Sequence, residues 1–271
     1  MKLENFIKRH AKSKYIFTNS KTSGISIDFG ICGFMNFNKE GVLASKSCTG
    51  CYSAILLNIY HKAREKLVNN NNYRNSLTPE QLEEDVKIFE NDIKIVKSLG
   101  VDRLRFYALS DFSPKDIPYI LAASKHITVD IISKTLMMPM NRQYLNELNN
   151  RKNIWISLSF NFKFEKFFDE ICLYLKETKS KNIQLNWTIN YKNEQQKNDP
   201  RLKKVQVIHV TNKDKRNALN FGFKETQVCG VFDKDGNRTK KGVCDSCNNC
   251  HLSFNAHQNG KKAKLPSILL A

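Results

Sequence analysis

From Arg103 to Phe221 the chain alternates short apolar, β-branched runs with helical runs, and this alternation restricts its fold more than any other feature. Arg103 to Leu109, Ile127 to Ser133, Asn153 to Phe160, Asn182 to Asn190 and Val205 to Val210 read as strands. Helices are expected between them: Ser113 to His126, Asn141 to Asn149, Phe164 to Glu177, and Asn212 to Phe221 after the last. A strand followed each time by a helix builds a parallel sheet, because parallel neighbours need a long crossover that covers the sheet. The expected class is α/β, a closed or partial TIM-like β/α barrel. No Gly-rich G-x-G-x-x-G or Walker loop follows any strand, which argues against a dinucleotide or nucleoside-triphosphate fold.

Upstream, Leu3 to Lys12 is expected to be a helix. Gly24 to Ile31 reads as a strand, with Ile25, Ile27, Phe29 and Ile31 alternating with Ser26, Asp28 and Gly30. Ser53 to Val68 reads as a helix and Asn69 to Asn75 as a polar linker. Thr78-Pro79-Glu80-Gln81 then opens a capped helix whose seam is Leu82, Val86, Phe89, Ile93 and Val96, ended by Gly100.

The cysteines carry the sharpest chemical signal. Cys229, followed by Cys244, Cys247 and Cys250 in a Cys-x-x-Cys-x-x-Cys run, supplies four thiolates for one centre, and sulfur donors suit zinc or an iron–sulfur cluster. A second pair, Cys48 and Cys51, opens a helical run. It reads as extra ligands for that centre, as a redox pair, or as packing. Cys32 and Cys172 lie among apolar neighbours and are assigned to packing. The expected organisation is a catalytic domain over residues 1–222, with an N-terminal helical extension, and a Cys-rich metal-binding segment with a basic tail over 223–271.

The 271 residues carry 44 Lys+Arg against 26 Asp+Glu, a formal net charge of +18, which points to a polyanionic partner, DNA first. Basic clusters stand at Lys8-Arg9-His10, Arg201 with Lys203-Lys204, Lys213 to Arg216, Arg238 to Lys241 and Lys261-Lys262. Met1 to Lys14 holds no apolar run of signal-peptide length and no stretch of the chain is long and apolar enough to span a membrane, so a cytoplasmic protein with no membrane partner is expected.

In β/α barrels the chemistry sits at the C-terminal strand ends. Those ends read Ser110-Asp111-Phe112, Ser133-Lys134-Thr135, Ser159-Phe160-Asn161, Thr188-Ile189-Asn190 and His209-Val210-Thr211. Asp111 is the carboxylate at a strand terminus, a nucleophile or general base, or else an N-cap for the helix after Pro114, for which Ser113 is better placed. Lys134 is its expected cationic partner, and Ser159, Asn161 and Asn190 are expected to contact substrate. Asp130 lies within a strand and either points into the barrel or pairs structurally. His209 reads as structural.

The order of Cys48-Thr-Gly-Cys51-Tyr52, Ser110-Asp111-Phe112, Ser133-Lys134-Thr135, Ile156-Ser-Leu-Ser159 and the terminal Cys-x-x-Cys-x-x-Cys resembles the phage "gene product 88" type proteins, relatives of the phage DNA 7-deazaguanine transglycosylases and so of tRNA-guanine transglycosylase. The resemblance implies exchange of guanine in DNA for a 7-deazaguanine base through an aspartate nucleophile, with Asp111 at the family's Gly-Asp-Phe position and Ser110 in place of the glycine. It further implies a second catalytic carboxylate, for which Asp130 stands, and aromatic walls for a flipped base, for which Phe112 and Tyr107 stand. The family's zinc spacing differs from that found here, so the metal is not carried across. Two other readings remain: an iron–sulfur enzyme of radical or redox type on the same barrel, and a non-catalytic metal-stapled DNA-binding protein.

Overall fold

A computed structural model describes residues 1–9, 15–19, 25–45, 52–160, 164–189, 195 and 198–210. The chain divides into two compact units, one holding Met1–Ser20, Gly24–Tyr144 and Lys152–Ile154, the other Lys21–Ser23, Leu145–Arg151 and Trp155 onward. The expected boundary near residue 222 and the helix from Asn212 to Phe221 lie outside the described residues.

The first unit contains α1 (Leu3–Arg9), β1 (Ile16–Asn19), β2 (Ile25–Asp28), β3 (Met35–Phe37), β4 (Leu43–Ser45), α2 (Tyr52–Ile59), α3 (His61–Ser76), α4 (Pro79–Ser98), β5 (Arg103–Phe106), α5 (Ile117–Ser124) and β6 (Thr128–Ser133). Its sheet runs β1-β2-β5-β6. β1 pairs antiparallel with β2, while β2, β5 and β6 are mutually parallel. The division of the chain passes through α6 (Arg142–Leu148) and the start of β7 (Ile154–Phe160). The second unit continues with α7 (Phe168–Glu177), β8 (Ile183–Ile189) and β9 (Val207–Val210), its three strands parallel in the order β7-β8-β9. Parallel strands and crossover helices make both units α/β, as the alternation of the sequence requires.

Within each unit successive parallel strands are neighbours, so every right-handed crossover falls on one face. That face is apolar. In the first unit Phe29 meets Phe89 of α4 at 5.7 Å and Tyr119 of α5 at 4.6 Å between ring centroids. In the second, Phe168 of α7 stands 5.1 Å from both Phe160 and Trp187. The opposite face is polar. Ser26, Arg105 and Asp130 are register partners across β2, β5 and β6, and Ser157 with Gln184 and Ser159 with Asn186 are partners across β7 and β8.

α4 forms where the capping box reads. Thr78 Oγ1 accepts the Gln81 N–H at 3.3 Å, Gln81 Oε1 accepts the Thr78 N–H at 3.0 Å, and Gly100 takes φ +84° just past the end. The Asn-rich stretch expected as a linker is instead the second half of α3. Leu67, Asn70 and Arg74 fall on one face at helical spacing and are buried, and this packing outweighs the weak helix propensity of asparagine. The expected helix from Ser53 to Val68 is broken at Tyr60 into α2 and α3. The β3–β4 hairpin adds to the expected elements, its alternation Met35-Asn36-Phe37 being too short a run to stand out. Its inward residues Met35 and Leu43 join Ala54, Leu57 and Leu67 in a small core of their own.

Candidate active site at the strand ends

β5 stops at Phe106 because Tyr107 takes a left-handed conformation, φ +71°, which a bulky side chain adopts only when its surroundings hold it there. The anchors are on both sides of the residue. Its N–H donates to the Ile27 carbonyl at 3.1 Å, and its hydroxyl donates to Asp116 Oδ2 at 2.8 Å. Asp116 is buried, is ion-paired with Arg74 of α3, and accepts the Ser113 N–H at 3.1 Å. The Arg74 guanidinium also lies 4.7 Å from the ring centre of Phe29. Burial is the dominant influence on Asp116 and raises its pKa even beside the arginine; burial likewise pushes Tyr107 well above the usual phenol range.

The turn set by Tyr107 delivers two groups. Leu109 N–H and Ser110 N–H each donate to Asp28 Oδ1 at 2.9 Å, and the Ser110 hydroxyl donates to the same oxygen at 2.6 Å. Asp28 ends β2, is 1% exposed, and its Oδ2 is buried with no hydrogen-bond partner among the described residues. Desolvation raises its pKa against the pull of those three donors and of Arg105.

The neighbouring residue, Asp111, reaches across to the end of β6. Its Oδ1 accepts the Phe112 N–H at 2.8 Å, the Ser133 hydroxyl at 2.6 Å, the Thr135 hydroxyl at 3.0 Å and the Lys134 N–H at 3.2 Å. A longer contact from the Thr135 N–H measures 3.5 Å. Its Oδ2 accepts the Lys134 N–H at 3.1 Å. The carboxylate thereby takes up the amide hydrogens at the start of the one-turn 3₁₀ segment Thr135–Met137 from another strand. It does not cap the turn after Pro114, whose opening residue is Ser113.

The residues expected from two separate strand ends, Asp111 and Ser133-Lys134-Thr135, therefore meet. Lys134 contributes its backbone N–H to the contact. Phe112 and Tyr107, expected as walls, are 6% and 3% exposed and stand edge-on to each other at 6.5 Å, with Phe112 also against Tyr144 at 5.7 Å. Asp130 lies mid-strand with its carboxylate 3.2 Å from the Arg103 Nε. Ser159 is buried on β7 as the register partner of Asn186. Asn161, Asn190 and all six candidate ligand cysteines, Cys48, Cys51, Cys229, Cys244, Cys247 and Cys250, lie outside the described residues. Among the described residues no group of three or more His, Cys, Asp or Glu is placed to hold a metal ion. Cys172 is buried and its thiol pushed up to about 11 by that burial, in keeping with a packing role.

Asp28 is the residue that strand-end reading from Arg103 onward passes over. The alternation Ile25-Ser26-Ile27-Asp28 marks it as a polar position of the first parallel strand, but that alternation continues to Ile31, whereas the strand ends at Asp28. Of the basic clusters, Arg201 is engaged by Asp199 at 2.6 Å and Glu165 at 2.9 Å and lies 5.2 Å from the ring centre of Trp187. Among the described residues no helix is long and apolar enough to cross a membrane. No family model, curated protein or solved structure matches this chain.

Proposed function

We propose that the protein exchanges guanine in DNA for a 7-deazaguanine base, with Asp111 as the nucleophile. The observation that carries the reading is the asymmetry of that carboxylate at the end of β5. Oδ1 is engaged by four close donors and fixed, whereas Oδ2 accepts one amide among the described residues and keeps lone-pair capacity for an electrophilic carbon. Oδ2 attacks C1′ of a flipped deoxyguanosine. The N9–C1′ bond breaks, guanine leaves with that electron pair and takes a proton from water, and an Asp111–C1′ ester forms. The incoming base loses its N9 proton to water, its N9 lone pair displaces the ester, and the carboxylate returns.

Asp28 serves in this proposal as a positioning residue. It holds Leu109 and Ser110, which fix Asp111, and it takes the second-carboxylate place from Asp130, whose charge is committed to Arg103. The polar face of the strands lines a complete or partial β/α barrel. Cys229, Cys244, Cys247 and Cys250, with or without Cys48 and Cys51, hold a structural zinc or an iron–sulfur cluster in a C-terminal segment, a donor set those centres favour. The net charge of +18 supplies the attraction for DNA.

The test is to incubate metal-loaded protein with single- and double-stranded guanine-containing DNA plus radiolabelled guanine or 7-cyano-7-deazaguanine, and to count label retained in DNA. Retained label that disappears in Asp111→Asn is the expected result. No retained label from wild-type protein overturns the proposal in favour of iron–sulfur chemistry or of DNA binding without catalysis.

A further inference from the structure

Apart from the strand ends, the β3–β4 hairpin and α3 border an open surface depression of about 300 Å³ lined by Phe37, Arg64, Glu65, Val68 and Asn69. Phe37 keeps 48% of its surface exposed, although Met35 and Leu43 of the same hairpin are buried. The guanidinium of Arg64 lies 5.5 Å from the centre of the Phe37 ring. Neither group is loosely held. Arg64 Nη1 donates to Asn58 Oδ1 at 3.2 Å, and Asn58 in turn brackets Leu43, accepting its N–H at 2.9 Å and donating to its carbonyl at 2.7 Å. The hairpin loop is fixed by Asn38 Oδ1, which accepts the N–H groups of Glu40 and Val42 at 3.1 and 2.8 Å, and by Gly41 at φ +71°.

An exposed ring with a guanidinium against it, both anchored through backbone-tied groups, matches the two halves of a nucleotide: the ring offers a stacking face for a base, and the cation takes the phosphate. An apolar peptide laid along the lining would cover Arg64, Glu65 and Asn69 without offering their polar groups a partner. A second copy of the chain is disfavoured by the +18 charge, which the same reasoning makes attractive to a polyanion. The exposed Lys39 and Lys62 flank Phe37 and Arg64 in sequence and add positive charge, with the exposed Glu40 and Glu65 opposing it. We infer that Phe37 and Arg64 form a stacking platform for an unpaired base of a single-stranded nucleic acid, separate from the strand-end site and independent of base exchange.

The experiment is fluorescence anisotropy of the full-length protein with a labelled single strand of about 12 nucleotides, in DNA and RNA versions, and with a DNA duplex of the same length. Phe37→Ala is expected to weaken single-strand binding about 5- to 100-fold with the salt dependence unchanged, because stacking is not an ionic contact. Phe37→Trp restores it. Arg64→Ala lowers the affinity and reduces the slope of log affinity on log salt by about one. Duplex binding in Phe37→Ala stays within about twofold, since paired bases present no free face. Preferential loss of the DNA strand or of the RNA strand supports the platform and names its strand. Single-strand affinity in Phe37→Ala equal to wild type, or equal loss of duplex and single strand, overturns the inference. Exchange activity is not read, so failure here leaves the Asp111 proposal standing.

Discussion

Replacing Asp111 by alanine and by asparagine separates what this carboxylate holds from what it does. In Asp111→Ala the two hydroxyls have somewhere to turn: Ser133 Oγ and Thr135 Oγ1 are 3.2 Å apart, and Thr135 Oγ1 also reaches the Phe112 carbonyl at 3.1 Å. The amides of Phe112 and Lys134 lose their acceptor. At about 1–3 kcal/mol for each stranded donor, lowered by water at a half-buried position, the expected loss is about 3 kcal/mol. Asp111→Asn keeps Oδ1 and its short bonds but removes the charge that strengthens them, and its amide nitrogen meets the Lys134 N–H where Oδ2 had accepted it. That amounts to about 1 kcal/mol. Urea unfolding at equal slope measures both changes. An alanine variant within about 0.5 kcal/mol of wild type, or an asparagine variant as costly as alanine, would refute the view that this residue ties the β5 turn to the end of β6. The smaller asparagine effect also leaves a folded protein in which the exchange assay can be read.

Two further outcomes follow from the same packing. Arg74→Met strands the buried Asp116 and is expected to cost about 3–5 kcal/mol, while Arg74→Met with Asp116→Asn recovers more than half, measured by the same urea titration; a harmless single variant would contradict the pairing. Glu90 is held below the usual carboxylate range, first by its 2.8 Å hydrogen bond with His126 and further by Lys125 at 3.0 Å. A depressed folded-state pKa means that its contribution is present above the unfolded carboxylate value near ~4.3 and is lost as pH falls through the folded value. In His126→Ala, ¹³C titration should move the Glu90 carboxyl upward and acid unfolding should depend less on this residue; an unchanged Glu90 titration counts against the assignment.

Local periodicity made most of the parallel strands readable, because apolar alternation and helix caps are properties of neighbouring residues. Asp111 and Ser133-Lys134-Thr135 were readable for a related reason: in a parallel fold, strand ends collect at one edge. Their mutual hydrogen bonds were not readable, since a cap supplied from another strand leaves no spacing rule. α3 shows the opposite failure. Its asparagines argue locally for a linker, and long-range packing of Leu67, Asn70 and Arg74, the last meeting Asp116 42 residues later, outweighs them. Asp28 was visible as an alternating polar position, but its burial depends on Leu109 and Ser110 arriving 81 and 82 residues downstream.

α3 also sets a length. Arg64 near its start is tethered to Asn58 beside the hairpin, and Arg74 near its end is tethered to Asp116 beside the turn that carries Asp111. Ten residues of uninterrupted helix separate the two by about 15 Å. A rigid rod of that kind fixes an offset and an azimuth together. One residue inserted between the arginines would swing one anchor about 100° around the helix axis relative to the other, whereas a whole-turn insertion of three or four residues would restore the facing and lengthen the offset by about 5 Å. The spacing of the two anchored ends is thus counted in helical turns, a quantity that a flexible connection would not hold constant.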